Sequence, residues 1–249
     1  MSKMTISIII PTLNEEKTIL KSLVSLFHQT LKPKEIILVD GGSNDSTISK
    51  VKGLDYLFPD FNIKIFQHYG EICPSSQNFG ALVSQGDILL FLGSDVILKP
   101  KTLQGVQNSF NKNPNLIALT GLAIPFNSTS SCTFEYLAYY FTAKLFQSSK
   151  LRFIANNTFL AVKRKYFVDI GGFPLVENPD CLFASAIPAN QTELNLGIKY
   201  YVNARRFNKM GFFGFNRYYN FCIGNFAPFM NKFLVLEKDS IQKVISRHS

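Results

Sequence analysis

The sequence lacks the cysteine and histidine patterns that mark metal-binding or disulfide-rich proteins. Its four cysteines, Cys73, Cys132, Cys181 and Cys222, are scattered and form no Cys-x-x-Cys pair, and there are only three histidines. Zinc sites need such ligands at short, regular spacing. We therefore expect no zinc centre, and we expect the cysteines to be reduced, mostly buried thiols of a cytoplasmic protein.

Long apolar runs and nucleotide-binding glycine motifs are also missing. No apolar stretch approaches the roughly 20 residues that a membrane-spanning helix needs. We expect no secretory signal either, because the first residues lead directly into a strand-like run that stops at Pro11. Neither Gly-x-Gly-x-x-Gly nor Gly-Lys-Ser/Thr occurs, which argues against dehydrogenases and P-loop hydrolases.

Acidic residues are scarce, with 17 Asp and Glu against 26 Lys and Arg, a net charge of +9. No Asp or Glu occurs from Leu194 to Leu236, although this stretch contains several basic residues, among them Arg205 and Arg206. Such an imbalance suggests an anionic partner: phosphates, a nucleic acid or an acidic membrane surface.

Aromatic residues are abundant, with 24 Phe and 10 Tyr but no Trp. Many lie in the acid-free part of the chain, interleaved with Lys and Arg. This composition fits a segment at a membrane interface, and equally an aromatic subdomain packed on the core. Single-stranded nucleic-acid binding uses similar residues, but no nucleic-acid motif accompanies them, so we expect no nucleic-acid partner.

The first half of the chain alternates strand and helix signals, which is typical of a mainly parallel sheet. Strands are predicted over 6–10, 35–39, 62–67 and 88–92, and helices begin at Asn14 as an N-cap, at Pro74 and at Pro100. The less regular second half predicts helices over 134–147, 163–169 and 179–187 and a strand over 158–162. The sequence thus predicts a single α/β domain, a Rossmann-like sheet flanked by helices.

Three chemically loaded turns follow predicted strands: Pro11–Glu15, Asp40–Ser43 and Gly93–Asp95. In an open parallel sheet, ligands bind beyond the carboxyl ends of the strands. Each turn by itself reads as a cap or a tight turn. Together they predict a binding site built from distant parts of the chain.

Five segments resemble the inverting glycosyltransferases of family 2. Ser7–Glu16 and Glu35–Thr47 are similar to the opening of that family, and Gly86–Asp95 is similar to the strand that leads into its D-x-D turn. Phe159–Arg164 and Phe167–Phe173, ending in Gly-Gly-Phe, resemble the strand and helix before its catalytic loop. The resemblance implies a GT-A fold.

The resemblance covers roughly residues 5–206. We therefore assign 1–206 to a GT-A domain and 207–249 to an aromatic, basic, helical C-terminal extension, packed on the domain or at a membrane surface. The implied activity is transfer of a sugar from a UDP- or GDP-linked donor to a saccharide, polyprenyl-lipid-linked or protein acceptor, in cell-envelope glycan biosynthesis. A lipid-linked acceptor would suit peripheral association with the inner face of the cell membrane.

The resemblance also implies roles for individual residues. Asp40 would accept hydrogen bonds from the base or ribose of the donor, in a pocket lined by Thr12, Asn14 and Glu15. Asp95 would ligate Mg2+ or Mn2+ bridging the diphosphate, since such cations prefer carboxylate and phosphate oxygens. The predicted donor-binding residues are Pro11, Thr12, Asn14, Glu15, Asp40, Asn78, Ser94, Arg205 and Arg206.

Three positions depart from the family pattern. Gly93 replaces the first D-x-D carboxylate, which predicts weaker metal binding, and Gln77 stands where the family usually has an arginine. Asn178 replaces the catalytic carboxylate in one possible alignment of the catalytic loop. These departures motivate an alternative interpretation, a catalytically degenerate member that binds a nucleotide or a partner.

Inversion requires a carboxylate that takes a proton from the acceptor hydroxyl. The family places this base in a Glu-Asp pair shortly after Gly-Gly-Phe. If Glu177-Asn178 is the pair, the base has become an amide. If Pro179-Asp180 is the pair, the base is retained as Asp180, and we prefer this alignment with Glu177 as the second candidate. Asp180 also fits a helix N-cap.

Arg205 and Arg206 resemble a basic element that follows the catalytic helix in related enzymes. A guanidinium suits bidentate phosphate contact, so one of the two would hold the leaving diphosphate. A solvated basic face accounts for either arginine equally well.

Overall fold

Short β-branched runs pair into one sheet in the computed structural model, which describes residues 3–69, 73–145, 158–176, 179–204 and 208. The strands of these ranges are β1 Ile6–Thr12, β2 Glu35–Asp40, β3 Ile63–Gln67, β4 Ile88–Leu92, β5 Ile97–Leu98, β6 Ala118–Phe126, β7 Phe159–Lys163 and β8 Thr192–Asn203. The helices are α1 Ile19–Phe27, α2 Thr47–Leu57, α3 Cys73–Val83, α4 Thr102–Lys112, α5 Ser130–Leu145, α6 Arg164–Asp169 and α7 Pro179–Ala186. None of these described helices combines the length and apolar composition needed to cross a membrane.

The sheet has the strand order β3-β2-β1-β4-β7-β6-β8-β5. The first four strands are mutually parallel, β7 runs antiparallel to β4 and β6, and β8 is parallel to β6. The predicted mainly parallel α/β sheet is confirmed. Because β1, β2 and β4 are parallel, their carboxyl ends lie at one edge, where the three predicted turns begin.

Alternating side chains of the strands bury two apolar layers. Ile8 and Ile10 of β1 pack in a cluster that includes apolar residues of α1, α2, α4 and α5. Ile9, on the opposite face, joins a cluster that includes Phe167 of α6 and Phe183 of α7. The helices α3, α6 and α7, which carry several candidate site residues, therefore cover one face of the sheet.

The prediction that Asn14 caps the first helix is wrong. Helix α1 begins at Ile19 and its N-cap is Thr18. Asn14 instead adopts a left-handed conformation with φ of 54°, and its side-chain oxygen accepts a hydrogen bond from Asn44 N–H at 2.9 Å. The amide that was expected to cap the helix joins two loops.

A buried carboxylate ties three segments together at the opposite edge of the sheet. Glu35 is 1% exposed and accepts hydrogen bonds from Ser7 Oγ at 2.7 Å, Lys64 Nζ at 2.7 Å and Gln85 N–H at 2.6 Å. Desolvation alone would raise the pKa of Glu35, but the hydrogen bonds from Lys64, Ser7 and Gln85 outweigh it, so its pKa lies below the ordinary value.

We expect Glu35→Gln to lower the free energy of unfolding at pH 7 by about 2 kcal/mol, because hydrogen bonds to a charged group are lost. A depressed pKa stabilises the fold above the unfolded-state pKa of about 4.3, and this contribution is lost as pH falls through the folded-state pKa. Urea unfolding from pH 7 down to pH 3 should therefore show the difference from the parent protein shrinking.

Asp60→Asn provides the control, because Asp60 pairs with Lys32 only at the surface, at 3.4 Å with an exposed side chain, and should leave stability unchanged. If Glu35→Gln lowers the free energy of unfolding by the same amount at pH 7 and at pH 3, the lowered pKa of Glu35 is contradicted.

Candidate active site

Hydrogen bonds join the turns after β1 and β2. Thr12 lies opposite Asp40 in the parallel register, and Gly41 N–H donates to Thr12 O at 2.9 Å. Asn14 N–H donates to Ser43 Oγ at 2.9 Å, and the Ser43 hydroxyl donates to Asp40 Oδ1 at 2.5 Å. The structure thus brings together Thr12, Asn14 and Asp40, which the sequence had assigned to one pocket.

Asp40 is fully buried and its carboxylate organises its own turn. Gly42 N–H donates to Oδ2 at 3.2 Å and Ser43 N–H to the same oxygen at 3.1 Å. Gly42 needs a left-handed φ of 100°, a conformation that glycine adopts without steric cost. The buried carboxylate is therefore fixed in place, and a ligand would share an acceptor whose orientation is already set.

Glu15 faces the start of α1. Its backbone N–H donates to Thr47 Oγ1 at 2.9 Å, and its carboxylate accepts from the Thr18 hydroxyl at 2.6 Å. Nearby, Asp45 accepts from Thr47 and from Glu16 N–H. Partial desolvation pushes the pKa of Asp45 upward, but these hydrogen bonds outweigh it and the pKa is lowered. The carboxylate of Asp45 thus joins the loop after β1 to the start of α2 through hydrogen bonds.

The turn after β4 contains one carboxylate. Asp95 is partly buried, and its Oδ1 lies 3.2 Å from the position that a Cβ of Gly93 would take. Ser94 is 9% exposed. Within the described ranges no group of three or more His, Cys, Asp or Glu side chains could hold a metal ion.

A single carboxylate still suits one kind of cation site. Mg2+ is usually bound through one or two carboxylates together with substrate phosphates, and keeps several waters. The residues present therefore fit an ion carried by a diphosphate and touched by Asp95. The described residues offer no set of ligands that would hold an ion without a diphosphate.

Asn78 fixes the segment that leads into α7. Its Nδ2 donates to Phe173 O at 2.8 Å, and Phe173 N–H donates to its Oδ1 at 2.8 Å. Gly171 and Gly172 before it have left-handed φ values of 86° and 79°. A Cβ on Gly172 would meet Asn78 Oδ1 at 2.6 Å, so this Gly-Gly pair is required for the contact. Asn78 therefore positions the loop, and its predicted contact with a donor stays a prediction.

Asp180 lies in the first turn of α7 and acts electrostatically on Cys73 at the start of α3. Although Cys73 reaches the surface, partial desolvation of its thiol and then the negative charge of Asp180 raise its pKa to about 11. The starts of α3 and α7 are therefore close enough for the charge of Asp180 to act on the Cys73 thiol. Such a thiol stays protonated at neutral pH and is a poor nucleophile.

Of the two cysteines whose exposure the structure describes, Cys132 is buried as expected and Cys73 is exposed. Glu177, Arg205, Arg206 and the extension from 209 onward lie outside the described residues, so their predicted roles stay predictions.

Gln77 of α3 carries a buried amide. Its side chain is 0% exposed, and neither its Nε2 nor its Oε1 has a hydrogen-bond partner among the described residues. One turn further on, a Cβ on Gly80 would touch Ile9 and Val39. Helix α3 connects the parallel strands β3 and β4 in the sequence, so it runs antiparallel to the first four strands, and it packs on β1 and β2. Gln77, one turn before Gly80, therefore lies nearer the carboxyl ends of β1 and β2.

Two residues at this edge, His68 and Tyr69, were missed by the sequence analysis. His68 Nε2 lies 2.8 Å from Ser75 Oγ, and the His68 ring stacks on Phe79 with centroids 4.9 Å apart. The exposed ring of Tyr69 lies against Gly42, where a Cβ would meet it at 2.9 Å. These residues belong to no motif, but their position directly after β3 is the signal that could have found them.

Comparison with known proteins finds glycosyltransferases with a similar sequence and a similar fold. The Glycosyl transferase family 2 model matches residues 7–171, about two thirds of the chain. Over 182 residues the chain is 26% identical to the O-antigen chain rhamnosyltransferase RfbN of Salmonella typhimurium, an alignment that covers 69% of this chain and 56% of that protein. The chain thus spans little more than half the length of this relative.

Solved structures share the fold. The mannosyltransferase PcManGT from Pyrobaculum calidifontis, in complex with GDP-Man and Mn2+, superposes with a TM-score of 0.67 at 17% identity, over 86% of this chain and 60% of that one. S. aureus TarS 1-349 in complex with UDP-GlcNAc gives 0.62 at 22% identity, over 82% and 59%. The likeness shows a common GT-A fold for the strands and helices described above.

Proposed function

The chain belongs to glycosyl transferase family 2, and from that membership we propose that it is an inverting transferase that moves a sugar from a nucleotide donor to an acceptor hydroxyl. The observation that carries the proposal is the meeting of the Pro11–Glu15 and Asp40–Ser43 turns, with the Gly93–Asp95 turn following a neighbouring parallel strand. The donor would be a UDP- or GDP-sugar, the two classes bound by the similar structures.

The acceptor would be a saccharide, a lipid-linked saccharide or a protein, and a growing cell-envelope glycan fits best. RfbN is named for the O-antigen chain, which supports this class. The acceptor must enter beside α7, because that helix carries the predicted base.

Donor binding would use the strand-end turns. Thr12, Asn14 and Asp40 would position the nucleoside, with the Asp40 carboxylate held ready by Gly42 and Ser43. Asp95 would hold Mg2+ or Mn2+ together with the diphosphate oxygens. When bound, the ion would neutralise charge on the departing nucleoside diphosphate.

Asp180 would act as the general base. As the acceptor oxygen forms its bond to the anomeric carbon, the bond from that carbon to the diphosphate breaks on the opposite face, and the hydroxyl proton passes to the carboxylate. The Asn78–Phe173 contact positions α7 and with it this carboxylate. Glu177 is the second candidate base, and Arg205 or Arg206 would contact the leaving diphosphate.

A second candidate function is a nucleotide-binding module without catalysis. It is favoured by Gly93, which leaves the turn after β4 with one acid, and by Gln77, whose amide replaces a cation at the family position.

Nucleotide binding tests the proposal directly. We expect UDP or GDP to raise the melting temperature of the parent protein, and to raise it more with Mn2+ than without. At a ligand concentration 100 times Kd, binding should increase the free energy of unfolding by about 2.7 kcal/mol. In Asp95→Asn, the additional rise in melting temperature that requires Mn2+ should disappear, and the rise seen without metal should remain.

Asp60→Asn is the matched control, because Asp60 lies on the surface and outside the turns after β1, β2 and β4. Its melting temperature should respond to nucleotide and Mn2+ as that of the parent protein does. A metal-dependent shift retained in Asp95→Asn would exclude Asp95 as a ligand. No shift with either nucleotide would contradict donor binding altogether.

A further inference from the structure

Helix α5 presents an apolar stripe to solvent. Phe134, Leu137 and Phe141 are 69%, 46% and 62% exposed. Their spacing of three, four and seven residues places them on one side of the helix. The opposite side, with Tyr136 and Tyr140 each 4% exposed, is buried in the core.

This arrangement reverses the usual pattern of a surface helix, whose outward side is polar. The only charged residues of α5 are Glu135, which is buried, and Lys144 in its last turn. Single exposed apolar residues such as Leu57 on α2 are ordinary. Three aligned large apolar residues without an intervening charge indicate a surface that another group covers.

The described chain ends at the residues that precede α5. Asn208 Nδ2 donates to Asn127 O at 2.6 Å, and Thr129 N–H approaches Asn208 Oδ1 at 3.4 Å. Its backbone N–H donates to Ala204 O at 2.9 Å. Asn208 is thereby fixed at the residues that lead into α5, and 41 further residues, 209–249, continue from there.

The composition of 209–249 matches the stripe. Between residues 209 and 236 there is no Asp or Glu, and nine aromatic residues occur. They are Phe212, Phe213, Phe215, Tyr218, Tyr219, Phe221, Phe226, Phe229 and Phe233. Aromatic rings are large apolar groups that are stabilised by burial against other apolar surface, and the stripe on α5 offers such a surface.

We propose that residues 209–249 dock on the domain through the Phe134–Leu137–Phe141 stripe. The tether at Asn208 makes the contact intramolecular, with an effective concentration on the order of millimolar. An occupant from a separate molecule lacks this advantage, and ring-to-ring contacts add to the area buried. The proposal depends only on α5 and on the chain that follows Asn208, and it holds whether or not the protein transfers a sugar.

Photo-crosslinking in the full chain tests the docking. Leu137→p-benzoylphenylalanine places a probe in the stripe, and irradiation is carried out on a mixture of light and heavy isotope-labelled chains with phosphatidylglycerol vesicles present. We expect mass spectrometry to find crosslinks to 209–249 of the same chain. The same probe at Leu57, 65% exposed on α2, should give none to this segment.

Each other outcome overturns the proposal. Crosslinks to lipid would make the stripe a membrane contact, and mixed light–heavy crosslinks would make it an interface between copies. In a second measurement, Phe134→Ser combined with Phe141→Ser should increase the rate of proteolysis within 209–249 about tenfold or more, as expected when about 1.4 kcal/mol of docking free energy is lost. An unchanged rate would also overturn the proposal.

Discussion

Replacing Asp180 by Asn is expected to lower kcat for sugar transfer by roughly 10²–10⁴-fold, the range that general bases contribute. Asparagine keeps the shape of the side chain and its position in the first turn of α7, but it cannot accept the proton of the acceptor hydroxyl. The donor Kd and the melting temperature should change little, because the turns that would bind the nucleotide lie after β1, β2 and β4. Steady-state kinetics with a UDP- or GDP-sugar, together with nucleotide titration, measures both.

Two further observations separate a base from a structural carboxylate. Asp169→Asn, an exposed acid at the end of α6, should retain full activity. Removing the charge of Asp180 should also lower the pKa of the Cys73 thiol, which Asp180 raises, so alkylation of Cys73 should shift to lower pH in Asp180→Asn. If this shift occurs while transfer is unchanged, Asp180 is near the site but is not the base, and Glu177→Gln becomes the next variant.

Buried strands with simple patterns were predictable from the sequence. The predicted strand over 88–92 coincides with β4, and the strand over 35–39 is β2 with one further residue. Their continuous apolar runs reflect burial on both faces of a parallel sheet. The predicted parallel order of these strands also allowed the positions of the three turns to be predicted, because the carboxyl ends of parallel strands lie at one edge of the sheet.

Strands with irregular pairing were not predictable. Strands β6 and β8 were absent from the sequence analysis, and their pairing shifts register between Gly121 and Leu122. A Cβ on Gly121 would clash with Ile198 O, so the shift depends on a close backbone approach that only the fold reveals. Helix α2 was missed because its apolar residues form no clear stripe and Gly53 interrupts it.

Side-chain partners were the least predictable feature of the site. Asn14 looked like a helix cap, but it bonds to the loop after β2, because the chain needs another turn before α1 begins at Ile19. Asn78 was expected to touch the donor, and its amide holds Phe173. The local sequence shows which residues can form hydrogen bonds, but the tertiary fold determines which donors and acceptors lie within hydrogen-bond distance.

The unpaired amide of Gln77 gives the second large expected effect, in which stability and nucleotide affinity change in opposite directions. An unsatisfied buried polar group costs about 1–3 kcal/mol, so Gln77→Met, similar in length and apolar, should raise the free energy of unfolding by about that amount. In the donor complex proposed above, we expect the donor to supply the missing partners. A phosphate could only accept from Nε2, whereas a nucleobase edge offers both a donor and an acceptor.

Gln77→Met should therefore weaken UDP or GDP binding about tenfold or more, the equivalent of one lost hydrogen bond of about 1.4 kcal/mol. Urea unfolding and calorimetric titration measure the two effects. Gln29→Met is the matched control, because Gln29 is also buried but its amide bonds to Ser25 O, Lys99 O and Leu103 N–H. This control should lose stability and keep nucleotide affinity.

A Gln77→Met protein that is more stable and binds nucleotide as before would show that the amide plays no part in donor binding. If only the affinity for the nucleotide-sugar falls, and not the affinity for the nucleotide, the partner of the amide is the sugar and not the base.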